Sequence, residues 1–449
     1  MFYLNKEREL TVDLLYKMIN SFRTSVEPKL QKYKNYYDGE QDIKNKSYKD
    51  PNKPCNKTVI NYCKNIVDSY CGYLATPDFI SYSSQSDIED VMEIMKYNDY
   101  QAEDNEFLRH ALIHSVACEL MYLDDEGKTR FRLINPLTCF GIYDNSLTED
   151  LLYFVRIYKA NDWDETDLLH YVDVYSDTTI KHYQMMGDVS GLTLISEEPH
   201  YFGQCPANIL VMPDEKSIFD CIMGLQDSAN TLLSAEIDDY EAFCDAYLTL
   251  EGADTDADYS EMKENRILVL PVGAKASWLT KNASDAQVEN ILRRIHDSIY
   301  RIAACPDFSS ESFVGGVSSG IAIQYRLTGM ETRAGKIEAV MKKALQRRVE
   351  IICGIASLKL GEEIFRDIQI DFKRNIPVDE AAIVNMALGL KGIVSDATIL
   401  GMLPFVADVN TELEAVKKQK EENMATFGNQ LLFGSGEEEE DDGTEDSAE

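Results

Sequence analysis

The run from Ile321 to Ile355 constrains the fold most. IAIQYRLTGMETRAGKIEAVMKKALQRRVEIICGI contains no proline and repeats its apolar residues at helical spacing. Met330, Ile337, Ala344 and Ile351 fall seven apart, and Ala334, Met341 and Ile355 fill the neighbouring face. Residues at such offsets share one side of an α-helix. At ~1.5 Å per residue the helix spans roughly 50 Å, and the rest of the chain has to pack along it. It also gathers positive charge: Arg326, Arg333, Lys336, Lys342, Lys343, Arg347 and Arg348 against Glu331, Glu338 and Glu350. Glu338 and Lys342, four apart, can pair on the helix itself. A loop of small residues, FSSESFVGGVSSG (Phe308–Gly320), leads into the helix.

That basic helix stands out because the 449-residue chain carries a net charge of −34. Such a balance works against unspecific adhesion to nucleic acid, which basic surfaces promote, yet it suits a wall that a polyanion slides past. A hydrophobic share of 44% supports real cores, and the length suggests two or three domains. The ten cysteines include no C-x-x-C pair, so free thiols in a reducing compartment are expected. MFYLNKEREL has no apolar leader, and no long apolar run follows, so no membrane contact is expected.

Along the chain, Thr11–Tyr37 is predicted helical, with Pro28 expected to kink or divide it, and Gly39 ends it. Ser47–Lys57 is a polar loop, and helices are predicted over Val59–Leu74, Ser86–Tyr97 and Gln101–Ser115. The period then changes to two. A hairpin turning at Asp125–Lys128 precedes strands at Cys139–Tyr143, Leu151–Tyr158, Leu168–Tyr175, Ile180–Met185 and Leu192–Ile195, a mostly antiparallel β region. Helices return at Ser217–Tyr240 and at Ser284–Ala304, the second opened by a Ser284/Gln287 capping box. Between them lie strands Ala246–Leu250 and Arg266–Leu270 around the acidic EGADTDADYSEMKE. Asp367–Phe372 is predicted a strand, and Val378–Leu390, Asp396–Met402 and Val409–Met424 helices. Gly434–Glu449 has nine acids and no base, the composition of a disordered tail.

Catalytic patterns are present only in fragments. Gly316–Gly320 matches the G-x-S-x-G elbow, but all six histidines precede residue 297, so no His follows Ser318. No Gly-rich nucleotide fingerprint occurs. His110 and His114 have zinc-pair spacing, yet Ala111 stands where a metalloprotease has Glu, so packed histidines are preferred. Asp254, Asp256 and Asp258 mimic a Ca²⁺ loop, but Tyr259 and Asn265 occupy the positions that need Gly and Glu. No enzyme activity, cofactor or metal is expected.

Several stretches together resemble one family, the portal proteins of tailed double-stranded-DNA bacteriophages, of the siphophage type from Gram-positive hosts. They are Tyr36-Tyr37-x-Gly39; Asn61-x-x-x-Asn65-Ile-Val67 with Tyr70-x-Gly72; Pro199-His200-x-Phe202-Gly203-x-x-Pro206; and Leu225-x-Asp227-x-x-Asn230-x-x-x-Ser234. Ser318-Ser319-Gly320-x-Ala322, Arg374-Asn375-Ile-Pro377, Gly389-Leu-Lys-Gly392-Ile-Val-Ser395 and Leu403-Pro404-x-Val406-x-Asp408 complete the order.

The resemblance implies an α+β subunit of a ring, normally dodecameric, at one capsid vertex of the virion, assembled in the host cytoplasm. Double-stranded DNA would pass through it during packaging and ejection. Terminase, head-completion or adaptor proteins, scaffolding and major capsid proteins would be its partners. The implied layout is a wing (1–213), stem helices (214–240 and 284–304) around a clip (241–283), a tunnel loop (305–320), the long helix with a wing strand (321–377), crown helices (378–425) and a disordered acidic tail (426–449). Phe308, Ser309, Ser310, Glu311, Phe313, Gly315, Gly316, Ser318, Ser319 and Gly320 would face the channel. Glu251, Asp254, Asp256, Asp258 and Glu261 would lie at the clip's docking surface. Arg333, Lys336, Lys342, Lys343, Arg347 and Arg348 would contact DNA or acids of the same or a neighbouring chain, the second being preferred. Another virion structural protein, an adaptor or minor head protein, is the alternative.

Overall fold

The computed structural model describes residues 2–49, 53–75, 80–159, 169–186, 191–244, 247–251, 275–279, 285–310, 320–356, 364–374 and 380–401, with scattered positions to 419. The chain divides into two compact units, Met1–Asn375 and Ile376–Glu449.

The first unit begins with strand β1 (Phe2–Leu4) and helix α1 (Val12–Ser21), capped by Thr11, whose Oγ1 accepts the Leu14 N–H at 3.4 Å. A π-helical stretch, Phe22–Val26, separates α1 from α2 (Glu27–Asp38), and Pro28 sits in the first turn of α2. Proline lacks the N–H that would continue the ladder, so the turn before it widens. The expected division at Pro28 is observed. Gly39 closes α2 at φ 82°, a conformation glycine adopts without a Cβ clash.

Helices α3 (Tyr62–Leu74), α4 (Glu89–Tyr97) and α5 (Tyr100–His114) follow, with strand β2 (Ile80–Ser83) between α3 and α4. Strands β3 (Val116–Leu123) and β4 (Thr129–Ile134) form the expected hairpin. Its turn closes when Asp124 Oδ1 accepts the N–H groups of Glu126 and Lys128 at 3.0 and 2.9 Å. Strands β5 (Cys139–Asp144), β6 (Leu151–Lys159), β7 (Leu169–Tyr175), β8 (Thr179–Met186) and β9 (Thr193–Pro199) form one antiparallel run, and β1 joins its edge in parallel to give the order β1-β5-β6-β7-β8-β9. Alternate residues Val155, Ile157, Val172 and Val174 face Leu15, Ile19 and Phe22 of the N-terminal helices in one core. Gly141 lies where a Cβ would meet Ile209 Cδ1 at 2.6 Å, so strand β10 (Ala207–Val211) can approach closely. That strand completes a smaller sheet, β10-β3-β4.

Helix α6 (Met223–Cys244), strands β11 (Tyr247–Glu251) and β12 (Lys275–Leu279), and helix α7 (Asp285–Ala303) form a helical hairpin closed by a two-stranded ladder. The α-helix starts later than the expected Ser217. Ser217 Oγ donates to the Leu112 carbonyl at 3.0 Å, and a 3₁₀ turn, Asp220–Ile222, precedes Met223. The partner of β11 is Lys275–Leu279; the expected strand Arg266–Leu270 lies outside the described residues.

The long helix α8 (Gly320–Ala356, 37 residues) follows. Met330, Ala334, Ile337, Met341, Ala344 and Ile351 are all buried, as their spacing predicts. Its C-terminal third packs Val349, Ile352 and Cys353 against Val91, Met95, Met121, Phe131 and Phe202. Each such large apolar side chain contributes roughly 2 kcal/mol by leaving water. Strand β13 (Gln369–Phe372) pairs with β2, a register that sequence periodicity alone did not reveal. In the second unit, helices α9 (Glu380–Leu390) and α10 (Asp396–Gly401) flank a turn with Gly392 at φ 86°. The described chain is thus mixed helix and sheet.

Candidate channel segment and its anchorage

On α6, Gln226, Asn230, Ser234 and Asp238 recur every four residues and so share one face. Each accepts a backbone N–H from an extended strap that runs the other way. Gln226 Oε1 takes Tyr62 at 3.1 Å, Asn230 Oδ1 takes Ile60 at 3.0 Å, Ser234 Oγ takes Thr58 at 3.0 Å and Asp238 Oδ1 takes Asn56 at 2.5 Å. Four helical residues rise ~6 Å and two extended residues ~6.6 Å, so the two periods stay in register. All four side chains are buried, where an unmatched amide would cost ~1–3 kcal/mol.

The ladder continues sideways. Asn230 Nδ2 donates to Gln41, Gln226 Nε2 to the Ile60 carbonyl, and the Tyr36 hydroxyl to Asp227 at 2.7 Å. Burial and the Asp227 carboxylate push the Tyr36 phenol above its ordinary range. At the far end, Asp238 meets the Lys46 ammonium at 2.6 Å. Burial opposes ionisation there, but Lys46 and the Asn56 N–H outweigh it and hold the carboxyl down to about 2.

The second anchorage lies where α7 ends. The last carbonyls of a helix lack partners within it. The Tyr70 hydroxyl donates to those of Ala303 and Ala304, each at 3.1 Å. Arg333 of α8 donates to Ala303 at 2.8 Å and to Ile218 at 2.6 Å, placing a cation at the negative end of α7. His296 Nε2 lies 3.4 Å from Asp307, whose Oδ1 in turn accepts the N–H and hydroxyl of Ser309 at 3.0 and 2.6 Å. Residues 305–310 are therefore tied to α7 through Asp307 and braced internally by Ser309. Phe308, Ser309 and Ser310 belong to this base; Glu311, Phe313, Gly315, Gly316, Ser318 and Ser319 lie outside the described residues. Gly320 is not part of the loop, since it opens α8.

Six of the seven basic residues of α8 divide into three groups. Arg348 is wholly buried, which removes DNA and a neighbouring chain from its expected contacts and leaves acids of the same chain. Its guanidinium binds Glu119 through Nε (2.9 Å) and Nη2 (2.8 Å), reaches Asp104 through Nη1, and lies 4.6 Å from the centroid of the Phe131 ring. Asn208 and Tyr82 complete the cluster, donating to Glu119 at 3.1 Å and to Asp104 at 3.2 Å. Burial raises the Asp104 carboxyl, with Arg348 opposing. Arg333, Lys342 and Arg347 form the second group, spent on partners within the subunit. Lys342 pairs with Glu338 at 3.0 Å, as the spacing predicts, and Arg347 with Gln204 at 2.6 Å and Glu350 at 2.9 Å. Arg374 takes up the remaining acids of the helix, bridging Glu331 at 2.9 Å and Glu338 at 2.5 Å. Lys336 and Lys343 form the third group. Both are exposed, and neither is ion-paired with a described residue.

A family model described as "Phage portal protein, SPP1 Gp6-like" matches residues 23–426. The chain belongs to this portal protein family. No curated protein matches it. Membership makes the chain a virion structural protein of a family whose role is not enzymatic.

Several residues that carry the resemblance to portal proteins sit at the joints just described. Asn61 caps α3 by accepting the Lys64 N–H at 3.0 Å and donates to the Tyr37 carbonyl at 2.7 Å. Asn65 accepts the Tyr300 hydroxyl at 3.3 Å. Asp227, Asn230, Ser234 and Arg374 are the partners named above. The sequence reading passed over Gln226, Asp238 and the Arg348 cluster; the spacing of four was the available signal for the first two.

Among the described residues no group of three or more His, Cys, Asp or Glu is placed to hold an ion. His114 is packed in the interior with Nδ1 3.2 Å from the His110 carbonyl. Burial, reinforced by His110, pushes its imidazole down to about 4. Of the clip residues, Asp254, Asp256, Asp258 and Glu261 lie outside the described residues, and Glu251 ends β11. No described helix is long and apolar enough to cross a membrane.

Proposed function

We propose that the chain is the subunit of a ring, about twelve copies strong, that forms the DNA channel at one capsid vertex and serves packaging, retention and ejection of the genome. The observation that carries this reading is a chain path. A helical hairpin closed by a β-ladder (α6, β11, β12, α7) runs directly into a pinned loop base and then into the 37-residue helix. This is the stem, clip, stem, tunnel loop and long helix order that the family resemblance implies. In this reading residues 1–213 are the wing and 378–425 the crown. The ladder of β11 and β12 lies at the clip, where terminase and later head-completion proteins dock. Scaffolding and major capsid proteins surround the ring.

The strap and Arg333 support the same reading. A channel wall that DNA is driven past must hold its helices in fixed register, and polar ladders fix register where apolar packing alone allows slippage. The chain's acidity, −34 overall, limits adhesion of the passing polyanion. Negative-stain microscopy of the purified full chain tests the proposal. Rings with a central hole and about twelvefold symmetry are the expected result. Discrete particles of another shape, lacking a channel, would instead favour an adaptor or minor head protein.

A further inference from the structure

A cavity of about 190 Å³ lies where the N-terminal helices meet both sheets of the first unit. One wall is aromatic: Phe2 of β1, Phe140 of β5 and Phe22 pack in series, with successive ring centroids 4.9 and 5.1 Å apart. Leu30 of α2 and Ile209 of β10 add aliphatic surface. Protein interiors leave few voids larger than a water molecule, so a gap of this size calls for an occupant. The backbone around it is also irregular. Phe22, Ser25 and Val26, three of the five residues of the π-helical stretch, line the cavity, as do Ser115 at φ 69° and Glu215 at φ 51°. Such π-turns and left-handed non-glycine residues are costly and concentrate at functional sites and ligand clamps. Polar groups are few. Lys29 and Glu215, both exposed, bring opposite charges to the rim, where Lys29 Nζ donates to the Glu215 carbonyl at 3.1 Å. Ser115 is buried, and its hydroxyl makes no hydrogen bond to a described residue.

We propose that this cavity is a binding site for a small, neutral aromatic molecule of about two fused rings, with one polar group that bonds the Ser115 hydroxyl. The volume sets the size. An apolar cavity of ~150 Å³ takes up benzene, and the larger space here suits a second ring. The series of phenylalanine rings selects a flat aromatic guest, because ring faces and edges attract one another. The opposed charges of Lys29 and Glu215 favour neither an anion nor a cation. A guest in this position touches the N-terminal helices and both sheets together. Binding only the folded arrangement, it stabilises that arrangement by mass action. The site goes beyond the channel reading and does not depend on it: ring formation can fail while the cavity binds, and the reverse.

The test titrates the full chain calorimetrically with indole, and with indene, which has the same shape but no N–H. Indole should bind with a dissociation constant below ~1 mM. Ser115→Ala should weaken indole ~3–10-fold, the worth of one hydrogen bond, and leave indene unchanged. Val26→Phe places a ring in the cavity and should weaken both probes more than tenfold. A third measurement needs no variant. Cys118 and Cys139 line the cavity as buried free thiols, whereas Cys221 is exposed. Saturating indole should slow alkylation of Cys118 and Cys139 by iodoacetamide at least fivefold and leave Cys221 at its own rate. No heat from indole up to its solubility limit overturns the proposal, as does undiminished binding by Val26→Phe or the absence of thiol protection. Equal weakening of indole and indene in Ser115→Ala overturns the hydrogen bond assigned to that residue.

Discussion

At the scale of single residues, Arg348 carries the greatest structural consequence. It joins α8 to α5 through Asp104 and to β3 through Glu119, with Asn208 of β10 and Tyr82 of β2 bonded to the same carboxylates. Replacing it by Met strands two buried acids, so Arg348→Met is expected to cost ~3–5 kcal/mol in urea unfolding. A loss below ~1 kcal/mol would mean that water or protonation compensates the acids, and that the cluster is not a lock. His114 gives a pH signature. Its folded pKa of about 4 lies below the ordinary ~6.5 of an unfolded histidine. The folded state therefore favours the neutral ring. This contribution is complete above pH ~6.5 and is lost as pH falls toward 4, at up to ~1.4 kcal/mol per pH unit. The slope of urea-derived stability between pH 6.5 and 5 should flatten in His114→Gln; an unchanged slope assigns the pH dependence to other groups.

At the scale of elements, the strap on α6 is a matched pair of periods. Its stability rests on side-chain acceptors that meet backbone donors, so the substitution to make is one that removes an acceptor without changing the helix. Asn230→Ala leaves the Ile60 N–H and the Gln41 amide without their partner. A cost of ~1–3 kcal/mol follows for the buried groups, and hydrogen exchange at the Ile60 amide should accelerate more than tenfold while the β5–β8 amides keep their rates. Uniform acceleration throughout the unit would show that the ladder is not a local clamp. The second anchorage has the same logic. Tyr70 and Arg333 complete the carbonyls at the end of α7 and so fix the point from which the loop departs.

At the scale of the whole molecule, the proposal makes residues 311–319 the part that meets DNA, between the tied base that follows α7 and the start of α8. Deletion of Gly315–Ser319 leaves the tied base at Asp307–Ser310 untouched. The shortened chain should assemble rings as the wild type does, while heads built with it package or retain less DNA, measured as nuclease-protected genome per particle. Normal packaging and retention would remove the loop from the channel mechanism.

Much of this was legible in the sequence where one physical rule dominates locally. The 3.6-residue apolar period specified α8 and its buried side, alternation specified β5 to β8, Pro28 and Gly39 specified the interruption and end of the N-terminal helices, and ordered motifs specified the family. The charges were legible only in number. Whether an arginine on a helix faces solvent, a carbonyl or two buried acids depends on what the other elements bring to it, and Asp104 and Glu119 lie more than two hundred residues from Arg348. Strands β1, β2 and β10 escaped for a related reason. They are three to five residues long, and their pairing with β5, β13 and β3, all distant in the chain, supplies the order that their own sequence lacks. The sequence alone therefore determined that a long one-sided helix exists and which side is apolar. Only the tertiary structure decided which of its cations are spent inside the subunit and that Lys336 and Lys343 have no ion-pair partner among the described residues, because ion pairing depends on distance in space and not along the chain.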